Sequence, residues 1–219
     1  MAPDYRRTRI KMCGMTRPED LIAACQLGVD AVGLVFYPPS PRSLTLALAE
    51  PLAALTTALT RRVALMVNPD AGFVREVIAA TRADMLQFHG DESPEFCQQF
   101  GKPYIKALRV KDAGAVVELV SLHRDADLIL LDAYVPGIPG GTGHIFDWSL
   151  VPDELAGKLM LAGGLKETNV SVAIEQIRPY AVDVSGGIET APGIKSAQKM
   201  ALFVQSVMSA DQTVNEILA

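Results

Sequence analysis

The chain has 219 residues, 49% of them hydrophobic and 21% charged, with a formal net charge of −5. That length and apolar fraction predict an ordinary soluble globular protein with a substantial core, and the acidic balance argues against a nucleic-acid binder relying on a broad basic surface. Three cysteines, Cys13, Cys25 and Cys97, form no C-x-x-C pair and leave an odd one over, which favours a reducing compartment over a disulfide framework.

The start, Met1 to Arg7, has no apolar stretch of the signal-peptide kind. No uninterrupted apolar run is long enough to span a bilayer, so a cytoplasmic protein with no membrane contact is expected. The next stretch, Arg9-Ile10-Lys11-Met12-Cys13-Gly14-Met15-Thr16, reads as a strand that stops at a thiol and turns at once into a helix start. Thr16 and Glu19 have the spacing of a capping box, and Pro18 suits an early helical position that has no use for its N–H. Cys13 is thus expected at the carboxyl end of a strand, the edge where α/β folds bind ligands. Its other reading is a small buried hydrophobe.

After a first helix ending near Gly28 the pattern repeats. Ala31 to Phe36 is a continuous apolar run, as a parallel strand covered on both faces requires. Strands are likewise predicted over 62–67, 84–88, 104–108, 127–132, 158–162 and 180–184, which makes eight with the first. Helical stripes lie between them: Val74, Val77 and Ile78; Val170, Ala173, Ile174 and Ile177; Met200, Phe203, Val204 and Val207. Ser93-Pro94-Glu95 and the Thr168-Asn169 region offer helix starts. No linker divides the chain, so residues 1–219 are expected to form one domain, with 1–8 a short N-terminal extension. Strand and helix alternate with a period of roughly 25 residues, which predicts an α/β fold, a single (β/α)8 TIM barrel. The rival open doubly wound sheet would ordinarily show a G-x-G-x-x-G turn after the first strand, where this chain has Cys-Gly-Met-Thr.

On a barrel the functional groups come from the carboxyl ends of several strands. Those positions hold Cys13, His89, Asp132, the pair Gly163-Gly164, and Ser185-Gly186-Gly187. The two glycine turns let backbone N–H groups approach an anion, and a following helix N-terminus adds a favourable dipole, which points to phosphate. Tight turns that need glycine for positive φ are the competing reading. Asp132 closes an apolar strand, either as a functional acid or as a cap. Arg42, at the end of the proline-stiffened loop from Tyr37, has the fork geometry for a carboxylate but also suits a surface position. His89 is either a donor to substrate or a structural histidine. Cys25 and Cys97 sit in helical patterns and read as packing residues. The segment Pro136 to Gly143 is long and glycine-rich, of the kind that closes over ligands. Asp183 lies inside the last strand with no partner identifiable from sequence.

Taken together, Lys11 to Thr16, Asp30 to Phe36 with the loop to Arg42, Leu86 to Gly90, Leu130 to Asp132, Gly140 to Gly143 with Phe146-Asp147-Trp148, Leu161 to Leu165, and Val182 to Gly187 resemble the ordered motifs of the phosphoribosylanthranilate isomerase family. The resemblance spans nearly the whole chain and implies a barrel catalysing an Amadori rearrangement in tryptophan biosynthesis, with a small-molecule substrate and no metal or organic cofactor. It implies a base at Cys13, an acid at Asp132, an arginine for the anthranilate carboxylate at Arg42, and phosphate loops at Gly163, Gly164, Ser185 and Gly186. His89 and Gly141 join these as expected substrate contacts. Gly186 stands where the family usually has a second serine, and His144 where a lysine is more usual. The alternatives are another sugar-phosphate isomerase on the same barrel and a non-catalytic phosphate-ligand barrel. As partners the reading allows tryptophan-pathway enzymes or a homodimer.

Overall fold

The structure, a computed structural model, describes residues 7–109, 113–132 and 157–218. Eight parallel strands follow one another around a closed barrel: β1 (Arg9–Cys13), β2 (Ala31–Phe36), β3 (Arg61–Met66), β4 (Met85–Phe88), β5 (Tyr104–Arg109), β6 (Leu128–Asp132), β7 (Leu159–Ala162) and β8 (Ala181–Val184). Closure is made by β8 pairing with β1, where Lys11 stands opposite Asp183. Every strand lies within one residue of its expected bounds. The rival open sheet is excluded by the closure.

The strands are apolar on both sides because each packs on two layers. Val63, Met85, Ile105, Leu130 and Met160 point inward and fill the barrel. Leu34, Met66, Phe88, Leu131 and Leu161 point outward against the helices. Those helices are α1 (Pro18–Gln26), α2 (Leu46–Ala53), α3 (Ala71–Thr81), α4 (Pro94–Gln98), α5 (Ala113–Leu122), α6 (Val170–Ile177) and α7 (Ala197–Leu218). Thr45, Asp70 and Ser93 each accept a backbone N–H in the first turn of α2, α3 and α4, which sets where those helices begin. Cys97 is buried in α4, and burial pushes its thiol up to about 12, in keeping with a packing role. No described helix is long and apolar enough to cross a membrane.

One local expectation is corrected. Thr16 does not cap α1: its hydroxyl donates to the Gly193 carbonyl, and Arg17 occupies the cap position without a side-chain cap bond. A tertiary partner has displaced the local one. That partner belongs to a small antiparallel hairpin, β9 (Glu189–Ala191) and β10 (Ile194–Lys195), inserted between β8 and α7. Just ahead of β1, the Thr8 N–H and hydroxyl donate to the Asp211 carboxylate at 2.8 and 2.6 Å, tying the entry of that strand to α7.

Candidate active site

The carboxyl ends of the strands surround a cavity of about 740 Å³. Cys13, Arg42, His89, Asp132, Gly163, Gly164, Ser185 and Gly186 all line it, so eight of the nine expected site residues meet in one place. The ninth, Gly141, lies with the rest of the 136–143 segment outside the described residues.

Cys13 ends β1 and is 5% exposed. Its neighbour across the ladder is Gly33, whose missing side chain is a condition of the site. A Cβ there would come within 2.6 Å of Sγ. One layer deeper, Lys11 Nζ donates to Asp183 Oδ1 at 2.8 Å, which supplies the partner that Asp183 lacked in the sequence. Burial pushes the Cys13 thiol above its ordinary value. Lys11 pulls it down, Asp183 pushes it up, and Lys195 pulls it down more weakly. Both cations work against burial, but burial outweighs them.

Lys195, on the hairpin, reaches back to this strand end. Its ammonium is buried and donates to the Cys13 carbonyl at 2.6 Å, the Ser185 carbonyl at 3.2 Å and Glu189 Oε1 at 2.7 Å. Burial pulls Lys195 below its ordinary range despite the Glu189 carboxylate beside it. Glu189 also takes Arg42, whose Nε and Nη2 donate to Oε1 and Oε2 at 2.7 and 2.6 Å. Burial raises the Glu189 pKa, but hydrogen bonds from Arg42 and Lys195 overcome it and leave the carboxyl below the usual carboxylate range. The Arg42 stem lies over Gly14, at φ +79°, where a Cβ would collide with the arginine Cδ. Arg42 is therefore no surface cation.

Across the cavity, His89 follows β4 and its Nε2 lies 3.6 Å from Asp132 Oδ2. The loop carrying His89 is held from below. Lys106 Nζ donates to the Gly90 carbonyl and to Glu92 Oε2, both at 2.6 Å, while Glu92 accepts the Asn68 and Gly90 N–H groups. The Asp132 side chain is 37% exposed and so escapes the burial cost expected for an unpaired carboxylate.

On the β7–β8 side, Gly163 and Gly164 both have positive φ, 89° and 64°. Asn169 clasps their loop by donating to the Gly164 carbonyl and accepting the Lys166 N–H. The expected helix N-terminus is not directly behind either turn. α6 starts only at Val170, and Ser185 leads into a single 3₁₀ turn, Gly186–Ile188. A Cβ at Gly187 would overlap the Leu165 carbonyl oxygen, so the two loops touch there and glycine is what allows it. At Gly186 the nearest atom to such a Cβ is Arg42 Nη2, at an ordinary 3.6 Å.

Sequence reasoning passed over Gly33, Glu189 and Lys195. Gly33 carried a signal, a glycine inside an apolar strand, which often marks a close approach. Nothing local marked the other two.

Comparison with known proteins gives a consistent result. The family profile "N-(5'phosphoribosyl)anthranilate (PRA) isomerase" matches residues 10–206. The N-(5'-phosphoribosyl)anthranilate isomerase of Pseudomonas syringae pv. tomato is 50% identical over 199 residues, 91% of this chain and 97% of that protein. That of Azotobacter vinelandii is 50% identical over 202 residues, 92% and 98% of the two chains. The crystal structure of phosphoribosyl anthranilate isomerase from Thermotoga maritima superposes with a TM-score of 0.85 at 34% identity, covering 92% of this chain and 99% of that one. Another such isomerase, crystallised with reduced 1-(o-carboxyphenylamino)-1-deoxyribulose 5-phosphate, superposes with a TM-score of 0.81 at 32% identity over 92% and 99% of the chains.

Proposed function

The chain belongs to the N-(5'-phosphoribosyl)anthranilate isomerase family, and from that premise we propose how the residues at its barrel mouth divide the reaction. The enzyme converts N-(5'-phosphoribosyl)anthranilate into 1-(2-carboxyphenylamino)-1-deoxyribulose 5-phosphate. The ribose ring opens to a Schiff base, the proton on C2 is removed to give an enolamine, and tautomerisation returns a proton to C1 and leaves a ketone at C2. An acid at the ring oxygen and a base at C2 are needed.

Asp132 protonates the ring oxygen and Cys13 takes the C2 proton. The observation that carries this assignment is that both line one cavity from opposite strand ends, β6 and β1, with the glycine turns of β7 and β8 beside them. Burial holds the thiol above its ordinary value, and Lys11 and Lys195 oppose that rise in favour of the thiolate a base requires. His89, beside the acid, donates to the substrate. Gly163, Gly164, Ser185 and Gly186 hold the phosphate through backbone donors, and Arg42 reads the aryl carboxylate. Gly141 is assigned to the substrate on family grounds alone.

The chain acts as a single domain, and its three unpaired cysteines suit the reducing cytoplasm. The test is the decay of anthranilate fluorescence when enzyme is added to freshly made substrate. Turnover by the protein that is lost in Cys13→Ala and Asp132→Asn is expected; turnover that survives both would send the acid and base elsewhere.

A further inference from the structure

Arg42 does not enter the cavity as a lone cation. Its guanidinium is engaged side-on, Nε and Nη2 on the two oxygens of Glu189 at 2.7 and 2.6 Å. Among the described residues Nη1 makes no hydrogen bond, so the planar group has one edge held and the edge formed by Nη1 and Nη2 left for a ligand. Such an edge is the geometry that reads a carboxylate through two parallel bonds.

The charges are arranged to the same end. An arginine paired only with a glutamate is neutral and would set one carboxylate close to another. Here a second cation, Lys195, shares Glu189 Oε1 at 2.7 Å. Two cations on one carboxylate leave one net positive charge. Lys195 also donates to the Cys13 and Ser185 carbonyls, so the carboxylate that holds Arg42 is fixed to the strand ends carrying the thiol and the phosphate turn. The site is built rather than fortuitous: the Glu189 and Lys195 side chains are 5% and 0% exposed.

We propose that Glu189 and Lys195 are positioning residues for aryl-carboxylate specificity: Glu189 fixes which edge of Arg42 meets the substrate, and Lys195 keeps that edge cationic. The proposal rests on the reading of Arg42 as the carboxylate contact. Its consequence is a selective one. Disturbing Glu189 impairs a substrate bearing the carboxylate and spares one that lacks it.

The test compares two substrates made by condensing ribose 5-phosphate with anthranilate or with aniline, the second followed by chromatography. The quantity read is the ratio of their kcat/KM values. Arg42→Met should collapse the ratio. Glu189→Gln should lower it about 10-fold while the aniline substrate changes less than about 3-fold. By charge alone Glu189→Gln would raise the ratio, since it removes a negative group, so a fall reports geometry. Because that variant leaves Lys195 buried without its anion, Glu189→Asp serves beside it. Aspartate keeps the charge but is one methylene too short to meet both arginine nitrogens, and should lower the ratio in the same sense. Lys195→Met should lower it through charge. An equal loss on both substrates, or a ratio unchanged or raised in both Glu189 variants, would overturn the proposal while Arg42→Met still collapses the ratio. A ratio that survives Arg42→Met would overturn the Arg42 reading, and the proposal with it.

Discussion

Lys11 and Asp183 stand opposite each other on β1 and β8, meet at 2.8 Å where the barrel closes, and lie one layer beneath the Cys13 thiol. They act on that thiol with opposite signs, the cation lowering its pKa and the carboxylate raising it. Lys11→Met is therefore expected to move Cys13 ionisation to higher pH and Asp183→Asn to move it lower. Site-resolved alkylation of Cys13 as a function of pH measures both. Shifts in the same direction would show that the pair does not set the thiol.

The same pair has a stability cost when broken. Removing either partner leaves a buried charge uncompensated, a loss of about 3–5 kcal/mol. For Lys11, burial pulls the pKa down but Asp183 and the thiol together raise it above the ordinary value. A raised lysine stabilises the fold below its unfolded pKa and loses that contribution as pH rises through the folded one. Alkaline denaturation should therefore shift to lower pH in Asp183→Asn. Chemical denaturation across the range above pH 10 reads the effect.

At the chemical step, Cys13→Ala and Asp132→Asn should each lower kcat by about 10²–10⁴-fold, the span of a lost general base or acid. Cys13→Ser should be nearly as poor, since a hydroxyl ionises far less readily than a thiol. Single-turnover rates separate these losses from product release. A Cys13→Ala enzyme with wild-type kcat would make the thiol structural.

The glycines should not respond alike. Gly33→Ala places a Cβ 2.6 Å from the Cys13 sulfur and 3.1 Å from its Cα, so it should lower kcat without reaching the loops after β7 and β8. Gly187→Ala drives those loops apart and should raise KM and destabilise the fold by about 1–3 kcal/mol. Gly186→Ala meets only ordinary van der Waals contact and should fold normally. Thermal melts and steady-state kinetics on the three variants give the order.

Acid stability should depend on Glu189. Its pKa lies below the ordinary 4.5 because Arg42 and Lys195 overcome the effect of burial. A lowered carboxyl contributes stability above its unfolded pKa and loses it as pH falls through the folded value. Arg42→Met should thus raise the pH at which the enzyme unfolds in acid, seen by circular dichroism below pH 4.5. An unchanged acid midpoint would mean that Lys195 alone holds the carboxylate.

The sequence by itself determined the barrel, because parallel strands covered on both faces must be short continuous apolar runs, and eight of them are separated by helical stripes. It also placed Cys13, His89 and Asp132 at strand ends, where polarity abruptly interrupts such runs. The same two-sided burial hid the rest. A strand that is apolar on both faces shows no alternation, so nothing local told that Lys11 and Asp183 point inward or that Gly33 sits against the thiol. Closure of β8 on β1 decided the first, joining residues 172 apart in sequence, and the β1–β2 register decided the second. The hairpin that carries Glu189 and Lys195 brings Lys195 to a carbonyl 182 positions away. Only the folded chain sets such an ion pair beside Arg42, because its energy comes from a shared dry environment that no stretch of the sequence possesses alone.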